Sequence, residues 1–439
     1  MNAHTIPATY NLNEGQKAAA EQFLQFLFSP EKEFIISGAA GVGKTYLMNY
    51  IIDNTLPRYQ EMCELIGVKP EYDEVVMTAT TNKAAEVLSK SVNRPTSTVH
   101  SFFNLTVRDD YKTGTTVLKR TNRWQIHTRK IIVIDEASMI DVELWKTLHD
   151  GTMDCKLVYV GDHNQLAPVF EDLSAIYKHQ APMVELTQPV RNVGQPALMQ
   201  ICQQLRETVA TGEFKPIQVI PGVIDLLDSQ QMQDEIFKTF KEQTQASRIL
   251  GYTNKRVIAY NDHIRGIRNL PASFQKGEFL VSNSVYHHKN GIIPVETEVE
   301  VVGTKSGQTI EIDKKHGVYL DVDYLDLKPQ FGGPVPNVPF ATDRAHLDAL
   351  IKYYGRAKDW TTYFYLKNDI ADLRPRDAAT VHKSQGSTYD TVFIDLGNIS
   401  TCTNPSMAAR MLYVAFSRAR SRVFLYGDLA QRFGGLILP

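Results

Sequence analysis

The chain reads as an α/β protein of two parallel-sheet domains, each interrupted by an insertion, and three features of its 439 residues predict this. The first is Gly38-Ala39-Ala40-Gly41-Val42-Gly43-Lys44-Thr45, a complete phosphate-binding loop between the apolar run 34–36 and a helical pattern at 46–52. The second is an alternation of β and α patterns in two separate series, which argues for parallel sheets covered by helices on both faces. The third is a pair of stretches, 102–129 and 277–375, where that rhythm stops and short alternating strands take over.

In chain order, apolar spacing predicts a helix over 14–28, the strand that carries the loop, a strand over 74–78, a helix over 82–91, and strands over 130–134 and 156–160. A second series opens with a strand at 248–251 and a helix at 255–265, then resumes with strands at 391–395 and 422–426. Within the first series, alternating runs at 105–108 and 115–118 flank Lys112-Thr113-Gly114 and read as a β-hairpin. Strands at 296–302, 308–312 and 318–325, spaced by glycine turns, predict a small barrel. Gly332-Gly333-Pro334-Val335-Pro336 reads as a loop, and 343–358 as an amphipathic helix ending near Trp360. The implied division is a first α/β domain of 1–101 and 130–181, its hairpin insertion 102–129, a second α/β domain of 182–276 and 376–439, and its insertion 277–375.

Composition narrows the classes. A 43% hydrophobic and 22% charged chain is ordinary for a soluble globular protein, and its length exceeds what one core serves. No apolar run approaches the 18 residues of a membrane span, and the first thirty residues lack a basic start followed by an apolar block, so no membrane partner and a cytoplasmic location are expected. The formal charge of -2 removes the whole-chain signature of a nucleic-acid binder, so a polyanion must be held in a local groove. Cys63, Cys155, Cys202 and Cys402 lie far apart without histidines at ligand spacing, which points to isolated thiols rather than a zinc module.

The motifs then set the chemistry. Gly38 and Gly43 are expected to let the backbone fold around a phosphate, so that N–H groups and the positive end of the following helix face the anion. Lys44 would reach the β and γ phosphates of a nucleoside triphosphate, and Thr45 would complete the coordination of Mg2+. Asp135 and Glu136 end an apolar strand, where open α/β sheets bind ligands; the first acid suits the metal and the second can polarise the attacking water. Gln165 follows another apolar strand within Gly161-Asp162-His163-Asn164-Gln165 and is placed to feel the terminal phosphate, while Arg191 and Arg418 are the candidate charge stabilisers.

Taken in order, Gln16, the phosphate loop, 78–85, Thr98-Val99-His100-Ser101, Asp135-Glu136, 161–165, Arg191, 380–386 and Arg418 resemble the motif series of superfamily 1 DNA helicases. Thr253-Asn254-Lys255, Val381-His382-Lys383-Ser384-Gln385-Gly386 and Leu412-Tyr413-Val414 carry a closer likeness to the RecD-like, 5′-to-3′ branch of that superfamily. The resemblance implies two RecA-like motor domains with a β-hairpin pin in the first and an SH3-like barrel with a helical tower in the second. It implies that Gln16 reads the adenine, that Gly38, Ala39, Ala40, Gly41, Val42, Gly43, Lys44, Thr45, Tyr46, Gln385 and Gly386 bind the nucleotide, and that the catalytic set is Lys44, Asp135, Glu136, Gln165, Arg191 and Arg418. It further implies a single-stranded DNA track over Thr81, Asn82, Lys83, Thr98, His100, Thr253, Asn254, Thr380 and His382. Helix capping is the plain alternative for Thr81 and Thr380. The pin of relatives carries a phenylalanine that has no counterpart here, so Tyr111 or Leu118 is expected at the fork; Trp360 and Tyr363 are expected to brace the pin. The expected partners are single-stranded DNA, its junctions with duplex and a single-strand-binding protein; the expected state is a monomer, in the host cytoplasm if a phage encodes the chain.

Overall fold

The computed structural model of the protein describes residues 10–72, 74–168, 173–188, 195–288, 291–330 and 332–439. Its first sheet has six parallel strands in the order Met183–Leu186, Glu33–Gly38, Lys156–Gly161, Lys130–Asp135, Glu74–Ala79 and Thr96–Thr98. The strands alternate their side chains between two cores. Phe34, Ile36, Ile131, Val133, Val158 and Val160 face the helices Glu14–Phe28, Lys44–Tyr50 and Asn82–Val92, whereas Ile35, Ile132, Ile134, Leu157 and Tyr159 face Val142–Asp150 and the segment leading into the hairpin. Burial on both faces explains why these strands read as unbroken apolar runs.

A second parallel sheet runs Ile224–Leu227, Ala419–Tyr426, Tyr389–Asp395, Ser247–Gly251 and Ala378–Thr380. Leu250, Val392, Ile394, Val423 and Leu425 pack on the helices Pro196–Thr211 and Pro405–Ser417, and Ile249, Phe393 and Phe424 on Ser229–Phe240 and Asn254–Ile267. The antiparallel insertion orders Val335–Ala341, Val318–Pro329, Glu298–Asp313, Phe279–Ser282 and Leu373–Pro375. It is tied to the second motor sheet by Glu298, which accepts from the buried guanidinium groups of Arg248 (3.3 Å) and Arg376 (3.2 Å).

Three expectations need correction. Met183–Leu186 pairs in parallel with the loop strand, so the first domain reaches past residue 181. The runs 296–302 and 308–312 are one strand, Glu298–Asp313, in which register shifts at Val301/Gly303 and Lys305/Gln308 bend the chain without ending the ladder. Val335 and Pro336 open the strand Val335–Ala341 rather than lying in a loop; this strand pairs with one neighbour and stands at the sheet edge, where proline is tolerated. The helix expected over 343–358 is borne out as Arg344–Ala357, with Asp343 at its N-cap and Lys358 (φ 59°) at its C-cap; Asp359 then caps a separate helix, Trp360–Asn368, by accepting from the Thr362 N–H. The pattern 46–52 continues, through the π-helical turn Ile51–Thr55 into Leu56–Leu65.

Candidate nucleotide cleft and nucleic-acid groove

The phosphate loop turns through two left-handed glycines, Gly41 (φ 86°) and Gly43 (φ 82°). Gly38, expected to share that duty, is needed for a different reason: a Cβ there would lie 2.8 Å from both the Leu186 carbonyl and Val42 Cγ2, so only glycine lets the neighbouring strand approach. Lys44 Nζ donates to the carbonyls of Gly38 (2.7 Å) and Ala39 (3.0 Å), which aligns the ammonium along the loop. Gln16 is buried and carries two local bonds: its side-chain oxygen accepts from the Asn13 N–H in a capping box, and its amide donates to the Val42 carbonyl at 3.2 Å. The helix start is thereby locked to the loop.

Around this loop lies a cleft of about 700 Å³. Of the residues expected at a nucleotide, Gln16, Ala40, Gly41, Gly43, Lys44, Thr45, Tyr46, Asp135, Glu136, Gln165, Gly386 and Arg418 line it, the last two from the second motor domain. Gly38, Ala39 and Val42 stand behind it as carbonyl acceptors, and Gln385 reaches across to donate to Ser138 Oγ at 3.1 Å. Arg191 lies outside the described residues. Asn11, Asn13, Gln188 and Thr388 also line the cleft and escaped sequence reading. The Asn11 N–H donates to the Tyr46 hydroxyl (2.8 Å), and the Tyr46 ring lies 5.3 Å from that of Tyr10.

The acids are held under tension. Burial, with the Glu136 carboxylate beside it, pushes Asp135 up to about 6. Glu136 adopts φ 52°, a left-handed conformation that costs a non-glycine residue on the order of 1–3 kcal/mol. Its carbonyl is bonded by Thr80 Oγ1 (3.1 Å), and a Cβ on Gly386 would lie 3.6 Å from its Oε1. Gln165 is buried, and its side-chain oxygen has no hydrogen-bond partner among the described residues.

The second domain grips the loop that carries Gln165. Arg410 Nη1 donates to the carbonyls of His163 (2.7 Å) and Gln165 (2.6 Å), and the Tyr413 hydroxyl donates to Asp162 at 2.6 Å. Arg410 and Tyr413 stand three apart on one helix face; Tyr413 falls within a motif phrase, but nothing local marks its partner. Arg418 itself is buried and donates to the carbonyls of Val414 and Ser387 and to Ser417 Oγ.

Of the nine residues assigned to a DNA track, five border two adjoining spaces, and Thr81, His100, Thr253 and His382 line neither. Asn82, Lys83 and Thr98 line a groove of about 930 Å³ between the first motor domain and the barrel turn at Glu296, and Lys83, Asn254 and Thr380 line a smaller cavity that adjoins it. Thr81, Thr98 and Thr253 each accept from a backbone N–H of the helix they precede, and Thr380 from the Lys383 N–H at 3.4 Å, so the capping alternative is realised. Capping leaves Thr98 on the groove and Thr380 on the adjoining cavity. His100 and His382 are half-buried, and burial lowers both imidazoles.

The hairpin Leu105–Asp110/Thr115–Arg120 forms with Val107 opposite Leu118. Leu118 is corrected as a fork residue: it is half-buried and packs, as Phe102 and Trp124 do, against a core of the first motor domain. Tyr111 is at the hairpin tip, 56% exposed, with its ring edge-on to Phe364 at 4.9 Å. Gly114 (φ 73°) lies against Trp360, whose ring a Cβ would meet at 2.3 Å, and Tyr363 packs on the ring of Trp360 at 5.5 Å. The tower helix therefore holds the tip of the hairpin.

An intact phosphate loop on one parallel sheet faces an arginine of a second parallel sheet across the cleft, the arrangement of two RecA-like domains. The AAA domain family matches residues 11–218, and the UvrD-like helicase C-terminal domain family matches residues 377–426. The chain is 22% identical to the ATP-dependent DNA helicase dda of Enterobacteria phage T4, over 94% of this chain and 99% of that protein. It is 31% identical to the ATP-dependent DNA helicase PIF1 of Emericella nidulans over 32% of this chain and 18% of that one. The crystal structure of Pif1 helicase from Bacteroides in complex with ADP-AlF3 and ssDNA shares the fold, with a TM-score of 0.52, 14% identity, and coverage of 98% of this chain and 95% of that chain. No helix among the described residues is long and apolar enough to cross a membrane.

Proposed function

We propose that the protein is an ATP-dependent DNA helicase that steps 5′-to-3′ along a single strand as a monomer and separates duplex at the junction. The observation that carries this reading is the cleft: one domain supplies the loop, Lys44, Asp135 and Glu136, and the other supplies Arg418. Thr45 and Asp135 are oxygen donors on one wall and fit Mg2+, which when bound would neutralise phosphate charge. Lys44 holds the β and γ phosphates, Gln16 and Tyr46 hold the base, and Glu136 takes the proton of the attacking water. Gln165 turns its unpartnered oxygen to that water, and Arg418, with Arg191, stabilises the charge on the transferred phosphoryl group. Gln385 and Gly386 close the cleft from the second domain.

Thr81, Asn82, Lys83, Thr98 and His100 in the first domain, with Thr253, Asn254, Thr380 and His382 in the second, contact the strand through phosphate and sugar, which suits sequence-independent tracking. Closure and opening about the nucleotide shift one set against the other, while Tyr111 on its braced hairpin splits the pair at the fork. A single-strand-binding protein would receive the displaced strand.

The test compares duplexes bearing a 5′ or a 3′ single-stranded tail, with ATP hydrolysis followed in parallel. Strand separation from the 5′ tail alone is expected. Separation from the 3′ tail alone would sink the polarity, and hydrolysis without separation from either would make the protein a translocase that displaces bound proteins.

A further inference from the structure

Between the nucleotide cleft and the DNA groove stands Ser387, a buried residue that no motif assignment includes. Its hydroxyl accepts from Lys83 Nζ of the first motor domain at 2.7 Å. Its carbonyl accepts from Arg418 Nη1 of the second at 3.0 Å. Two residues on, the Tyr389 N–H donates to the Arg418 carbonyl at 2.8 Å, so the segment 387–389 and Arg418 are clamped from both sides. Among the described residues, the other groups bonded to the Arg418 guanidinium are the Val414 carbonyl and Ser417 Oγ, both in its own domain. Among the described residues, Ser387 is the one of the three that is bonded in turn to the first domain.

Lys83 is placed to sense DNA. It lines both the groove and the adjoining cavity, with the Glu296 carboxylate lining the same two spaces. An ammonium has three donors; one is on Ser387, which leaves two for a phosphate oxygen of the strand. A charge-assisted bond of that kind draws the lysine toward the backbone it grips, and Ser387 with it.

We propose that Ser387 is a positioning residue: DNA captured by Lys83 is reported through the Ser387 hydroxyl to its own carbonyl, and thereby to Arg418 in the nucleotide cleft. The strand therefore sets the arginine, which gives DNA-stimulated hydrolysis a physical route one residue wide. This inference rests on the reading of the protein as a DNA-stimulated ATPase.

Its test is steady-state hydrolysis by the full chain with and without saturating oligothymidylate, in Ser387→Ala and Ser387→Thr. Ser387→Ala is expected to lower the DNA-stimulated kcat about tenfold, the scale of losing one hydrogen bond to a charged group, with KM for ATP and DNA affinity nearly unchanged. Ser387→Thr, which keeps the hydroxyl, is expected to recover most of that loss. At saturating DNA, Lys83→Gln combined with Ser387→Ala should cost little more than either alone, because both break one link. A Ser387→Ala variant whose stimulated kcat stays within about twofold of the parent overturns the proposal, as does an equal fall in the rates with and without DNA accompanied by a lower Tm, which marks packing alone. A parent protein that hydrolyses ATP without any response to DNA would instead refute the helicase reading beneath it.

Discussion

Glu136→Gln is expected to lower the rate of ATP hydrolysis by about 10²- to 10⁴-fold, the range over which a positioned base contributes, while ATP binding persists. The amide keeps the size and planarity of the carboxylate, so the spacing to Gly386 and the bond from Thr80 to the backbone are retained. What disappears is the proton acceptor. The left-handed backbone at this residue strengthens the assignment, since a non-glycine side chain is held at φ 52° only where the surroundings over-determine it, and such strain gathers at sites of chemistry. Nucleotide affinity, followed by a fluorescent ATP analogue, should stay near that of the parent. A Gln variant that turns over within about threefold of the parent would remove Glu136 from its role.

Gly114→Val is expected to separate hydrolysis from unwinding. A side chain at this position meets the Trp360 ring at 2.3 Å, and the left-handed conformation at φ 73° is the one that a β-branched residue tolerates least. The hairpin tip must then leave the tower, and the Tyr111–Phe364 contact leaves with it. Each base-pair step resists with about 1.4 kcal/mol of stacking, so a hairpin free to swing yields to the duplex instead of parting it. The unwinding rate should fall about tenfold or more, with DNA-stimulated hydrolysis within about twofold, because no residue of the hairpin tip 110–115 lines the cleft or the groove. Equal unwinding by the variant would show that the brace is dispensable. Replacing Tyr111 with Ala on the intact brace then isolates the tip residue itself.

Much of this molecule was legible in advance because its signals are local. The phosphate loop, the acid pair and the strand-helix units are each written within a few consecutive residues, and the helix Glu14–Phe28 begins and ends where its capping signals stand. Buried parallel strands announce themselves as apolar runs, which is why the predicted strand bounds lie within three residues of those observed. Where a boundary slipped, the cause was a competing local signal. Glycines at 303 and 307 imitate turns but serve as bends in one long strand, and the short edge strand Met183–Leu186 has too few residues for its periodicity to point to one domain.

The sequence by itself determined the chemistry of the loop and the acids, the two-domain α/β class and the hairpin, because each depends on neighbours along the chain. Only the tertiary structure decided that Leu118 belongs to a core and Tyr111 to a tip, that Trp360 holds Gly114, that Tyr413 holds Asp162, and that Ser387 stands between Lys83 and Arg418. Those pairs are drawn from distant parts of the chain, and no periodicity, propensity or spacing encodes which of many compatible side chains will meet. Their meeting follows from how two sheets and two insertions pack, and that packing is a property of the whole chain.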